Sequence, residues 1–158
     1  MGDKPALLMF FYGTLKRGHS NHDAFCHGAR FVGEATLRGR LYDLPYGYPA
    51  LTVAPEDVLA VGTADPAGDA SMQHRLGPVE VRRTDGPRVF GELYVFDDPE
   101  VRLPAIDRLE GFDPVDGSGP YRRVLSPVQT TGNEDVLAWA YVVEVASGVY
   151  LPEGRWPA

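Results

Sequence analysis

The apolar positions of this chain gather into short runs with strand spacing rather than long helical stripes. Ala6-Leu-Leu-Met-Phe-Phe-Tyr12 is a continuous apolar run followed by a glycine, the pattern of a strand buried on both faces. Residues 31–44 carry Val32, Leu37, Leu41 and Tyr42, interrupted by Gly33 and Gly39. That predicts a strand with bends or bulges, as at a barrel corner. Two more strong strands are expected at 89–96 and 136–145, with a weaker one at 121–129 broken by Pro127. Along 90–96 a period of two puts Phe90, Glu92, Tyr94 and Phe96 on one face.

Helical signals are few. Ser20 with Asp23 three residues later resembles a capping box and predicts a short helix over 21–27. A second helix is expected over 103–110: Asp98-Pro99 opens a turn, and Pro104 fits the first helical turn. Gly111 then stands where a left-handed cap is favoured. Residues 62–88, dense in Pro, Gly and Asp, read as a long surface insertion with one strand at 79–83, either a tolerated loop or a lid. Many strands and two short helices predict an α+β fold on a curved or closed sheet.

The length of 158 residues suits one domain, 1–158, large enough to need no disulfide or structural metal. Hydrophobic residues at 44% and charged ones at 23% are ordinary for a globular chain. A net charge of −7 repels phosphate backbones and anionic lipid, which argues against a nucleic-acid or membrane-surface role. The single Cys26 excludes an intrachain disulfide framework and fits a reducing compartment. With no apolar run of spanning length and no secretory cleavage pattern, the expected location is the cytoplasm.

Candidate chemistry centres on two places. Tyr12-Gly13-Thr14-Leu15 follows a buried strand, and Gly13 permits close approach of a ligand to the backbone. Such a turn either gathers N–H groups around an anion or simply ends the strand. Glu110 is the second. At about 100° per residue from Leu103, Ile106 falls near about 300°, Leu109 near about 240° and Glu110 near about 340°, so the carboxylate sits beside the apolar stripe. Burial and the negative helix end both raise its pKa toward the range of a general base near neutral pH. The alternative is a terminal glutamate that bends out to water.

Glu92, among aromatics, is either functional or paired, with Arg122 or Arg123 on the next strand as the expected partner. His19, His22, Cys26 and His27 lie within nine residues but lack the spacing of an established metal motif. Tyr42, Tyr46 and Tyr48 wall a pocket or cover a barrel end, and Tyr121 can offer a hydroxyl to a ligand. There is no Walker loop, no Gly-x-Gly-x-x-Gly and no Gly-x-Ser-x-Gly.

The ordered set Phe11-Tyr-Gly-Thr-Leu-Lys-Arg-Gly18, Gly39-x-Leu-Tyr-Asp43, Tyr48-Pro-Ala-Leu51, Val89-Phe-Gly-Glu-Leu-Tyr94, Ile106-Asp-Arg-Leu-Glu-Gly-Phe112, Tyr121-Arg-Arg123 and Ala138-Trp-Ala-Tyr141 resembles the gamma-glutamylcyclotransferase-like superfamily, in its "YGTL" branch. The resemblance leaves 62–88 uncovered. It implies a small mixed β-barrel flanked by short helices, and intramolecular aminolysis of a γ-glutamyl amide to 5-oxoproline plus free amine. It further implies Glu110 as proton acceptor, a head group held by Tyr12, Gly13, Thr14 and Leu15, a role for Tyr121, and no metal or organic cofactor. The expected partner is a small γ-glutamyl molecule. Two other readings share the fold: a non-catalytic binding or regulatory protein, and an enzyme that deprotects a γ-glutamylated biosynthetic intermediate.

Overall fold

Strand β1 (Leu7–Phe11), the first apolar run, lies in the middle of the main sheet of the chain, in a computed structural model that describes residues 5–77 and 86–157. On one side it runs antiparallel to β6 (Arg88–Phe96), from Leu7 opposite Phe96 to Phe11 opposite Glu92. On the other it runs parallel to β8 (Asp135–Val142), with Met9 opposite Trp139. β2 (Arg30–Arg38) pairs with β6 and also with β7 (Arg122–Thr130), which pairs with β8. The order β2-β6-β1-β8-β7 therefore returns to β2 and closes a five-stranded mixed ring. β5 (Ala60–Val61) is attached outside at β7. A second sheet, β4-β3-β9, is formed by β3 (Arg40–Asp43), β4 (Pro49–Thr52) and β9 (Val149–Leu151).

The alternation of strand side chains divides the core in two. Phe10, Leu37, Leu93, Val128 and Ala138 come one from each ring strand and share a cluster, so they fill the interior. Met9, Phe96, Leu125 and Trp139 point the other way, against helix residues Ala70, Leu103 and Ile106. Burying side chains such as Phe96 and Leu103 contributes about 1.5–3 kcal/mol each. Gly33 falls where the β2–β6 register shifts, the bulge its sequence suggests. Gly39 separates β2 from β3, and a Cβ there would stand 2.5 Å from the Thr52 carbonyl oxygen.

Among the described residues three α-helices sit on this frame, and each differs from its sequence expectation. α1 (His22–Cys26) starts after Asn21, not after a capping-box serine: no side chain caps it, and the Asn21 amide is engaged elsewhere. α2 (Pro66–Leu76) occupies much of the segment read as an insertion loop. Asp65 caps it by accepting from the Gly68 N–H, and Pro66 takes the first helical position. The strand suggested at 79–83 lies outside the described residues. α3 (Pro99–Glu110) begins four residues before the expected 103, because Pro99 rather than Pro104 opens it. Pro104 sits in the second turn, where it removes one rung of the hydrogen-bond ladder. The end of α3 is as read: Gly111 adopts φ 76°, its N–H bonds the Arg108 carbonyl, and Phe112 N–H bonds that of Asp107 at 2.9 Å. Among the described residues no helix is long and apolar enough to cross a membrane.

Candidate active site

The loop leaving β1 and the last turn of α3 meet at a narrow cavity of about 30 Å³. Tyr12, Gly13, Thr14 and Leu15 line it from the loop, with Tyr48, Pro49, Tyr141 and Glu110 around them. The space admits about two water molecules. Gly13 has no room for a side chain, since a Cβ would lie 3.0 Å from the Pro49 ring.

The loop is held from α1. The Asn21 side-chain amide donates to Thr14 Oγ1 at 2.9 Å and the Asn21 N–H to the Thr14 carbonyl at 3.0 Å. The Leu15 carbonyl accepts from His22 Nδ1 at 2.9 Å and from the Cys26 thiol at 3.6 Å. Thr14 Oγ1 thus uses one acceptor site within the protein, which leaves its own proton to be offered to a ligand. The His19–His27 segment serves the loop in this way. Among the described residues no group of three or more His, Cys, Asp or Glu is placed to hold a metal ion.

Glu110 is half-buried at the cavity wall. Burial first, and the neighbouring Asp107 second, push its carboxyl from the ordinary 4.5 to about 7. The buried face of α3 consists of Leu103, Ile106 and Asp107, while Leu109 is exposed. That face is centred closer to Glu110 than an apolar stripe including Leu109 implies.

Asp107 is itself neutralised by a buried network. Its carboxylate takes Arg123 Nε at 2.9 Å and Nη2 at 3.1 Å, and the Tyr141 hydroxyl at 2.6 Å. Arg123, 0% exposed, also donates to Asp69 on α2 at 2.9 Å and to the Thr63 carbonyl at 3.0 Å. Tyr12 donates its hydroxyl to the Tyr141 carbonyl at 2.6 Å. Desolvation holds the Tyr12 phenol well above its usual pKa, and it stays a neutral donor.

Tyr121 does not line this cavity. Its hydroxyl donates to the Pro49 carbonyl at 2.8 Å, and its ring faces the adjoining groove 6.5 Å from that of Tyr48. Glu92 is paired, but with Arg17, not with the arginines of β7. It accepts from the Arg17 N–H at 2.8 Å and lies 3.5 Å from its guanidinium, and Tyr94 donates to it at 3.1 Å. Arg123 is unavailable to Glu92 because Asp69 and Asp107 claim it. Tyr42 packs at a tilt against Tyr150, 5.5 Å between centroids, and does not line the cavity, whereas Tyr48 does. Pro49, Asp107, Arg123 and Tyr141 stand within the motifs of the resemblance, but no local pattern gives them, or Asp69, a place at the site.

Burial pushes the Cys26 thiol up to about 12, leaving little thiolate at neutral pH. The native protein is expected to resist a maleimide at pH 7 and to take up one equivalent in denaturant. Intact-mass measurement reads the difference.

A family profile described as "Gamma-glutamyl cyclotransferase, AIG2-like" matches residues 9–64 and 66–158. No curated protein matches the chain in sequence. An AIG2-like protein from Mus musculus is 21% identical with a TM-score of 0.58, the match covering 90% of this chain and 80% of that one. An uncharacterized protein from Pyrococcus horikoshii is 18% identical, TM-score 0.57, over 95% and 89% of the two chains. A structure titled "Gamma-glutamyl cyclotransferase" is 16% identical, TM-score 0.56, over 93% and 71%. At these identities the likeness is one of fold.

Proposed function

The chain belongs to the gamma-glutamyl cyclotransferase, AIG2-like family, and from that premise we propose that it cyclises a γ-glutamyl amide with Glu110 as general base. The free α-amine nitrogen of the substrate attacks the γ-carbonyl carbon. A C–N bond closes the five-membered lactam, the amide C–N bond breaks, and 5-oxoproline and an amine leave. The Glu110 carboxylate takes one proton from the α-ammonium before attack and passes it to the departing nitrogen. It then takes a second from the ring nitrogen of the tetrahedral intermediate, so that the amine ends as its ammonium. The supporting observation is a carboxylate raised to about 7 on the same cavity as the Tyr12–Leu15 loop.

An α-ammonium has a pKa of about 8, within reach of such a base. The loop N–H groups and the Thr14 hydroxyl suit the substrate carboxylate or the oxyanion of the tetrahedral intermediate. Holding the chain folded for ring closure supplies several kcal/mol of the barrier. A second reading, a binding protein without turnover, uses the same cavity and loop.

One assay separates them: 5-oxoproline release from γ-glutamyl amines, γ-glutamyl amino acids and glutathione. Release that depends on Glu110 supports the enzyme, and silence across all three classes supports the binder. For the enzyme, kcat/KM is expected to fall tenfold per pH unit below about 7, as Glu110 takes up its proton. A second fall above about pH 8 follows loss of the substrate ammonium. A profile flat from pH 5 to 8 removes Glu110 from the base role.

A further inference from the structure

We infer that the groove beside Tyr48 holds the departing amine, and that its substituent is an aromatic or bulky apolar group without a second charge. This deepens the cyclotransferase reading and rests on it. The Glu110 cavity has space for the reacting atoms and little else, so the remainder of a substrate must lie outside it. Tyr48 lines that cavity and also a groove of about 560 Å³ on its other side. It stands on the turn that ends with the Leu44 N–H bonded to the Tyr48 carbonyl, and Gly47 in that turn has φ 86°. This ring is therefore shared by the two spaces.

One wall of the groove is aromatic and aliphatic. The rings of Tyr46 and Tyr48 are 5.9 Å apart and those of Tyr48 and Tyr121 6.5 Å apart, a series leading inward from a Tyr46 that is 72% exposed. Ala50, Val143 and Ala146 extend that wall. The charged lining residues, Arg122 and Glu144, pair with each other at 2.7 Å. The groove therefore offers no unmatched charge to a second ammonium or carboxylate on the amine, whereas a phenyl ring stacks on the tyrosines.

Initial rates with γ-glutamyl phenethylamide, γ-glutamyl methylamide and γ-glutamyl-ε-lysine test this. The phenethylamide is expected to exceed the methylamide in kcat/KM by about tenfold or more, the worth of burying the ring. Tyr46→Ala, on the surface and outside the lining of the Glu110 cavity, is expected to reduce that ratio several-fold by lowering kcat/KM for the phenethylamide more than for the methylamide. Equal rates, a preference for the lysine derivative, or a ratio untouched by Tyr46→Ala overturns the groove assignment and leaves the cyclotransferase reading standing. If no amide is turned over, that reading fails, and calorimetric binding of the phenethylamide decides the groove. Binding weakened by Tyr46→Ala supports it, and no binding, or binding indifferent to Tyr46, overturns it.

Discussion

Glu110→Gln is expected to lower 5-oxoproline release by about 10²–10⁴-fold, the usual contribution of a positioned general base. The same change is expected to make the protein more stable. The carboxyl has a folded-state pKa of about 7 against 4.5 ordinarily, so the native state holds its proton more tightly than the unfolded chain. Stability owed to this group is present below about pH 4.5 and is lost as pH rises through about 7. Glutamine carries no charge to desolvate, and above pH 7 it gains on the order of 1–2 kcal/mol after allowance for the half-exposed side chain. Thermal melts at pH 4 and pH 8 check this: the variant matches wild type at the lower pH and melts higher at the upper. A variant that loses activity and also stability at pH 8 points to a structural role instead.

Arg123→Met carries the second large effect, on folding rather than chemistry. It leaves Asp69 and Asp107 buried without their common cation, at a cost of about 3–5 kcal/mol at neutral pH. That is a large share of the total stability of a domain this size. Adding Asp69→Asn and Asp107→Asn to Arg123→Met is expected to restore a good part of it, because no isolated charge remains. Urea unfolding of the single and triple variants measures the difference. Equal stability of Arg123→Met and wild type denies the network any structural role.

The parts of the fold legible from the sequence are those in which hydrophobicity carries the pattern. β1, β6 and β8 are apolar runs, and the end of α3 is marked by a glycine whose φ of 76° other residues avoid. Helix α2 hid from this signal. Its buried residues, Pro66, Asp69, Ala70 and Gln73, keep helical spacing, but two are polar and face inward because Arg123 and the Leu8 N–H need partners there. The Asp65-Pro66 pair, a capping residue before a first-turn proline, is the local signal that points to it. At the site, Glu110 and the Tyr12–Leu15 loop are readable because local geometry aims them. Tyr141 and Pro49 gain their places through distant contacts, Tyr141 by accepting the Tyr12 hydroxyl at its carbonyl and Pro49 that of Tyr121, each from more than 70 residues away.

Placing the first strand at the centre of the sheet has a consequence for biogenesis. Among the described residues β1 pairs with the strands β6 and β8, and the ring closes where Ala35–Leu37 meets Val128–Thr130, about ninety residues further along the chain. A ribosome-bound fragment ending before β8 would present the apolar edge of β1 unpaired on one side. Such high contact order makes for slow, late, all-or-none assembly and a nascent chain that needs shielding until residue 142 has emerged.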